Sequence, residues 1–356
     1  MTAKCFIFFF LIKLSLFGRP IETFYGSVDV EEPVILELID SAAFQRLNNI
    51  RQYGVSYYTT HKEEFTRYSH SLGVFHLLRA SNRPLNEQIA GLLHDVSHTA
   101  FSHVGDWVFN KEYNDVDYQN SIHEEYLESS GLSNILRKHG FNPKMALPSE
   151  ENAPALEQPR PNPSADRLDY SIQGAYHQKF ITKEEAIEIF KDCHFKNNRW
   201  IASNSNLMKK VIKFALFMTE DCFGSPENHL SSRWLADAII KGLETGLISN
   251  EEFHKGTDDI IWNRLLLSND HYIKNRMRMV LNTNDFFLFV NPEEADTILI
   301  TKFWGFDPWM SCGDQIVRLT SLDSALANEY QTVKDRIGKG FSIKLLAHEK
   351  ALAKSA

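Results

Sequence analysis

Apolar residues at helical spacing, stopped by a proline-dense break and then resumed, limit the fold of this chain more than any other feature. From Val34 to Leu47 the sequence VILELIDSAAFQRL sets apolar side chains three and four apart, and segments 68–80 (YSHSLGVFHLLRA) and 86–96 (NEQIAGLLHDV) continue the pattern. Leu72, Val74, Phe75 and Leu78 form one apolar stripe, and Asn86 is placed to cap the helix that follows. Helical signals persist through Arg137. Six of the twelve prolines then fall between Pro143 and Pro163, which predicts a loop, of a length that is commonly functional or mobile. Asp166 opens a new helical run, DRLDYSIQGAYH, and segments 183–192, 207–219, 231–246 and 258–283 keep the same period. From Asp285 the texture changes: FFLFV and TILITKFW are β-branched and aromatic and predict a small strand pair. The tail from Ala325 reads as helical and then charged. The fold class is therefore mainly α with a minor β element near the C-terminus, divided as residues 19–284 and a C-terminal extension, 285–356. The sequence has no internal repeat and no Rossmann or P-loop glycine signature.

Composition narrows the function classes. At 356 residues, 43% hydrophobic and 24% charged, the chain can bury a large core and is not a disordered polymer. A formal net charge of -8 argues against general nucleic-acid binding, while leaving room for a local basic pocket for a phosphorylated small molecule. The four cysteines, Cys5, Cys193, Cys222 and Cys312, are too widely spaced for a zinc ribbon and do not read as a disulfide framework. No stretch has the roughly 18–20 apolar residues of a membrane span. Residues 1–18, MTAKCFIFFFLIKLSLFG, resemble a signal peptide ending in a small residue; Lys13 within the run and the lack of an A-x-A site oppose that reading, so cytoplasmic and exported forms both stay open.

Histidine is where chemistry concentrates. Six of fourteen lie between His70 and His123. His94 and Asp95 are adjacent at the end of an apolar segment, where two helical neighbours diverge by about 100°. Both reach one ion only if it lies off the helix and takes further ligands from elsewhere. His70 sits on the preceding helix and Asp166 follows the proline-rich loop. Imidazole with carboxylate suits Mn, Fe, Zn, Co or Ni better than calcium. Singly, each has a plainer meaning: a buried histidine is usually a core hydrogen-bonding group, and an aspartate at a helix start is usually an N-cap.

Taken in order, FTRYSHSLGV, IAGLLHDVSHTAFSH, SIHEEY and ADRLDY resemble the HD-domain superfamily of metal-dependent phosphohydrolases, and most narrowly its deoxynucleoside triphosphate triphosphohydrolases. The lead-in IDSAAFQRLNNIRQYG is similar too, and the resemblance runs from about Ile21 to Asn284. It implies an HD-type helical domain over 19–284 and a divalent ion (Mn, Fe, Zn, Co, Ni or Mg) held by His70, His94, Asp95 and Asp166. It implies catalytic roles for His98, His103 and His123, with Asp106, three residues after His103, spaced to orient that imidazole. Arg67, Arg167, Tyr170 and Gln52 match residues that contact phosphates and sugar. A homo-oligomer is implied by the same likeness.

Two departures bear on substrate. Gln173 and Gly174 stand where the family often has Arg-Asp, the aspartate being associated with the sugar 3′-hydroxyl, and Asn48 replaces an arginine linked to nucleotide activation. Glycine at 174 predicts a roomier pocket and weak 3′-hydroxyl selection, with close backbone approach as the other explanation for a glycine there. The expected activity is hydrolysis of a deoxynucleoside triphosphate to deoxynucleoside and triphosphate. Phosphomonoester or phosphodiester hydrolysis of another small metabolite is the alternative within enzymes, and a non-catalytic regulatory module the alternative outside them.

Overall fold

The Thr66 hydroxyl accepts the backbone N–H of Ser69 and starts the helix around which the others are arranged, Arg67–Ala80. The computed structural model describes residues 18–60, 64–109 and 117–346; the signal-peptide-like run lies almost wholly outside them. Residues on every side of Arg67–Ala80 are buried, His70, Leu72, Val74, Phe75, Leu77 and Leu78 among them. The single apolar stripe expected from sequence understates this, because the helix is enclosed rather than laid on a surface. Helices Leu85–Leu93 and Ala165–His177 pack against it. Two glycines permit that closeness: a Cβ on Gly73 would fall 2.0 Å from Asp169 Oδ1, and one on Gly91 would fall 2.2 Å from Leu78 Cδ1.

Other elements follow the predicted order with local differences. The 34–47 segment breaks at Ser41, whose hydroxyl accepts Phe44 N–H, giving Pro33–Asp40, Ala42–Gln45 and a 3-10 turn, Arg46–Asn49. Leu85–Leu93 begins directly after Pro84, so Asn86 is not its cap. The 258–283 segment divides into Asp258–Leu266 and His271–Leu281, the second capped by Asp270. The proline-rich stretch has one 3-10 turn, Pro143–Ala146, and is otherwise irregular. Buried bonds pin it: Glu87 accepts Ala155 N–H at 2.6 Å, and Trp200 Nε1 donates to the Ala155 carbonyl at 2.7 Å.

Strands are short and more widespread than expected. β1 (Arg19–Thr23) and β2 (Gly26–Val30) form a hairpin turned at Gly26, whose φ is 116°. β3 (His194–Lys196), β4 (Arg199–Ala202), β7 (Trp309–Cys312) and β8 (Gln315–Arg318) form a mixed sheet. β5 (Phe287–Phe289) and β6 (Thr297–Leu299), the predicted pair, are not paired with each other; each pairs with β9 (Phe341–Leu345) between them. Phe306, Met310, Leu326 and Val333 share one core with Val74, Leu168 and Phe214. Phe287, Leu299 and Ile343 share another with Trp234 and Ile239. That anchoring carries the intervening chain, Lys302–Trp304, across the mouth of the site described next. Among the described residues no helix is long and apolar enough to cross a membrane.

Candidate metal centre

His70 is fully buried on its helix, and its Nδ1–H donates to Asp169 Oδ2 at 2.6 Å. His94 closes the Leu85–Leu93 helix, and its Nδ1–H donates to the Gly91 carbonyl at 2.8 Å. Each bond places the ring proton on Nδ1 and leaves a lone pair on Nε2. Those two Nε2 atoms lie 3.1 Å apart. Two ring nitrogens that close in a buried place need a positive charge between them, a proton or a metal ion. The carboxylates complete the ring: Asp166 Oδ1 is 3.0 Å from His70 Nε2 and 3.6 Å from His94 Nε2, and Asp95 oxygens lie 3.6 Å and 3.5 Å from the same atoms. Ligating atoms of His70, His94 and Asp95 all fall within 4.8 Å of one another, so the donor set fits a divalent ion.

The electrostatics agree. Burial works against charge on His70, yet Asp166, Asp169 and Asp95 push its pKa up to about 10, so the pocket is built to hold positive charge. Burial likewise opposes ionisation of Asp95, and Arg67, His94 and His98 hold its carboxyl well below the usual range. Asp166 is not the N-cap of its helix: Ser164 takes that role by accepting Arg167 N–H at 3.3 Å, which frees the Asp166 carboxylate for the imidazoles.

His98 reaches the same cavity from beyond the end of the helix. The helix ends at Leu93, and residues 94–102 curl back through Phe101 and Ser102, at φ 60° and 56°. Left-handed backbone at two non-glycine residues is costly and persists only where neighbours enforce it. Here Asp258 accepts the N–H groups of Phe101 (2.7 Å) and Arg51 (2.8 Å), and Arg46 donates to the carbonyls of Val96 (3.0 Å) and His98 (2.5 Å). His98 Nε2 then lies 3.3 Å from Asp95 Oδ1, and burial with the nearby Arg67 charge brings its pKa down to about 3.

His103 Nδ1 lies 3.1 Å from Asp106 Oδ2, while its ring borders the cavity with 43% of the side chain exposed. Desolvation opposes its charge, and the Asp106 hydrogen bond and charge, with Asp117, raise its pKa overall. His103, Asp106 and Asp117 lie together at the mouth. His123 is buried behind the turn, with Nδ1 2.7 Å from Ser97 Oγ, and does not line the cavity.

The cavity holds about 200 Å³ and is also lined by Gln52, Arg67, Arg167 and Tyr170. Both arginines are already engaged. Arg67 donates to Asp95 (2.5 Å) and Ser102 (2.7 Å), and Arg167 to the carbonyls of Gln158 (2.7 Å) and Asn162 (2.8 Å). Gly174 does not open the pocket. A Cβ there would meet Phe214 Cζ at 2.4 Å and the Tyr53 hydroxyl at 2.6 Å, so close packing of helices explains the glycine. Residues that sequence reasoning did not single out are Asp169, Tyr25 (hydroxyl to Asp169 Oδ1, 2.8 Å), Asp258, Arg160, Lys302 and Trp304. Asp169 stands within the ADRLDY block; nothing local to the others marks them.

Comparison with known proteins places this geometry. Residues 67–170 match the HD domain family. The chain is 35% identical over 249 residues to uncharacterized protein YdhJ of Bacillus subtilis, covering 70% of this chain and 75% of that protein. It is 39% identical over 165 residues to metal-dependent phosphohydrolase cns2 of Cordyceps militaris, covering 46% of this chain and 47% of that one. It is 29% identical over 219 residues to deoxynucleoside triphosphate triphosphohydrolase SAMHD1 of Bos taurus, covering 51% of this chain and 36% of that one. The chain thus spans half or less of the last two. A crystal structure of a hypothetical protein from Aquifex aeolicus shares the fold, with TM-score 0.65 and 18% identity over 87% of this chain and 93% of that one.

Proposed function

The chain belongs to the HD-domain family of metal-dependent phosphohydrolases, and from that premise we propose that its substrate is a deoxynucleoside triphosphate, cleaved to deoxynucleoside and intact triphosphate. One observation carries the reading: two buried Nε2 atoms 3.1 Å apart, their Nδ1 atoms bonded from behind, flanked by Asp95 and Asp166 and opening on a cavity lined by arginine, lysine and carboxylate side chains. The narrower substrate is supported by the likeness to SAMHD1, a deoxynucleoside triphosphate triphosphohydrolase by name.

His70, His94, Asp95 and Asp166 would hold the divalent ion, which when bound supplies an activated water and polarises a phosphoryl oxygen. The protein's own residues do the remaining work. Asp169 and the Gly91 carbonyl keep both imidazole lone pairs facing inward. Arg67, locked on Asp95 and Ser102, keeps that carboxylate ionised. As water oxygen bonds to the α-phosphorus and the bond to the 5′-oxygen breaks, that oxygen needs a proton. His103, with its pKa raised by Asp106, is the group in the cavity wall suited to give it. His98 is uncharged and serves as a hydrogen-bonding group beside Asp95.

The test is incubation of the purified chain with Mn and a panel of nucleotides, with products resolved by chromatography. Intact triphosphate with deoxynucleoside is the expected result. Orthophosphate released from monophosphates would establish the phosphomonoesterase alternative. Retained metal without turnover of any phosphate ester would make the chain a regulatory module.

A further inference from the structure

Arg67 and Arg167 spend their guanidinium groups on protein partners, which leaves the outer cavity to other cations. Two are in place, from separate parts of the chain. Arg160, in the proline-rich loop, lies 5.3 Å from the Trp304 ring centroid and donates to the Trp304 carbonyl at 3.0 Å. Lys302, in the segment after β6, lies 5.1 Å from the same centroid. Trp304 packs against Phe223 and faces His103, at centroid distances of 5.5 Å and 6.2 Å. All three line the cavity that contains His94, Asp95 and Asp166.

We propose that Arg160 and Lys302, held in place by Trp304, form a subsite for the distal phosphates of a polyphosphorylated substrate. The assignment rests on the function proposed above and names the part of the substrate that these residues read. Its basis is the distribution of charge. Four cations (Arg67, Arg160, Arg167, Lys302) and four carboxylates (Asp95, Asp117, Glu157, Asp166) line the cavity. Asp95 and Asp166 belong to the metal centre. Arg160 and Lys302 are brought together on Trp304, and the nearest ion pair to Lys302 is a loose one, Asp117 at 3.9 Å.

The two ends of the cavity are joined along one wall. Tyr170 stands one helical turn after Asp166, and the Arg160 charge acts on its hydroxyl, opposing the effect of burial. A monophosphate at the metal centre does not need the outer pair; a chain of phosphates extending outward meets it. Cation–π contact with Trp304 orders both long side chains beforehand, which lowers the entropy cost of gripping a flexible anion.

The experiment is calorimetric titration of the Mn-loaded full chain with tripolyphosphate and with orthophosphate. It compares the unmodified protein, the double variant Arg160→Ala with Lys302→Ala, and Lys302→Gln alone. The single variant gives up a loose ion pair and one cation–π contact at the cavity mouth, and guards against loss of folding. The unmodified protein is expected to prefer tripolyphosphate by about tenfold or more, the scale set by charge-assisted hydrogen bonds. The double variant loses that preference while orthophosphate affinity and metal content stay unchanged, and Lys302→Gln falls between. Unchanged tripolyphosphate affinity in both variants, or an equal loss for orthophosphate, overturns the subsite. If the unmodified protein shows the preference and the variants lose it, yet no nucleotide is hydrolysed, the subsite stands and the proposed reaction falls.

Discussion

His70 is gripped from behind by Asp169: Nδ1 donates to Oδ2 at 2.6 Å, and the other carboxylate oxygen accepts the Tyr25 hydroxyl at 2.8 Å. Gln173 adds a third bond to Asp169, also 2.8 Å, and Ser69 in turn donates to Gln173. A proposed metal ligand in the middle of the fold is therefore oriented by a chain that ends in the N-terminal hairpin. Outer partners of this kind set ligand orientation and basicity.

Asp169→Asn should weaken metal binding by about 10–100-fold, the usual consequence of losing such a partner. Tyr25→Phe should act in the same direction and less, since Asp169 keeps its other two bonds. Competition with a chelator reads both. Affinities equal to the unmodified protein would mean that packing alone orients His70.

His103→Ala should keep its metal and lower turnover by about 10² or more, as expected for loss of a proton donor. Asp106→Asn should be milder, because it loosens His103 without removing it. The comparison is kcat at saturating nucleotide alongside metal content. Normal turnover in both variants would make the pair structural.

Acid should destabilise the protein through His76. Burial, with the Arg79 charge, brings its pKa down to about 4, below the unfolded value near 6.5. A depressed pKa means that the neutral folded form contributes stability above pH ~6.5, and that this contribution is lost as pH falls toward ~4. One such group gives a slope of at most about 1.4 kcal/mol per pH unit. His76 Nδ1 lies 2.9 Å from Thr23 Oγ1; urea midpoints between pH 7 and 4.5 should fall, and His76→Gln, which can keep a bond to Thr23, should flatten the fall. Parallel curves for the two proteins would assign the acid sensitivity elsewhere.

How much of this was legible in the sequence depends on the range of the interaction concerned. The mainly α class and the HD-family likeness were readable because helical period and the order of His70, His94-Asp95 and Asp166 are local features. His70, His94 and Asp95 come together, and Asp166 lies within 3.6 Å of both imidazoles. The backing of the site was harder to see. Asp258, which holds the Phe101–Ser102 backbone, lies more than a hundred residues away, and its contact has no local signature. β9 pairs with β5 and β6 from far along the chain, so strand texture predicted strands and assigned them the wrong partner. In TILITKFW the strand stops at Leu299, and Lys302 and Trp304 turn to the cavity instead.

Position 174 separates a local argument from a packed one. Asp166 and Tyr170 line the cavity, and helical spacing puts Gly174 on the same face one turn further on. By then, however, the Ser205–Phe217 helix has closed over it. Phe214, 1% exposed, would stand 2.4 Å from an added Cβ, and the Tyr53 hydroxyl 2.6 Å. Gly174→Ala tests packing alone. Crowding costs about 1–3 kcal/mol, offset by the roughly 1 kcal/mol that alanine gains in helix propensity. Gly174→Asp adds a carboxylate in the same space and should destabilise by several kcal/mol more, since a buried charge without a cation is costly. The urea midpoint should therefore fall slightly for alanine and steeply for aspartate. The ratio of kcat/KM for 3′-hydroxyl over 3′-deoxy nucleotides should be unchanged in Gly174→Ala, because the position does not face substrate. A Gly174→Asp protein of undiminished stability, with a sharper 3′-hydroxyl preference, would show that the helices part and that residue 174 reads the sugar after all.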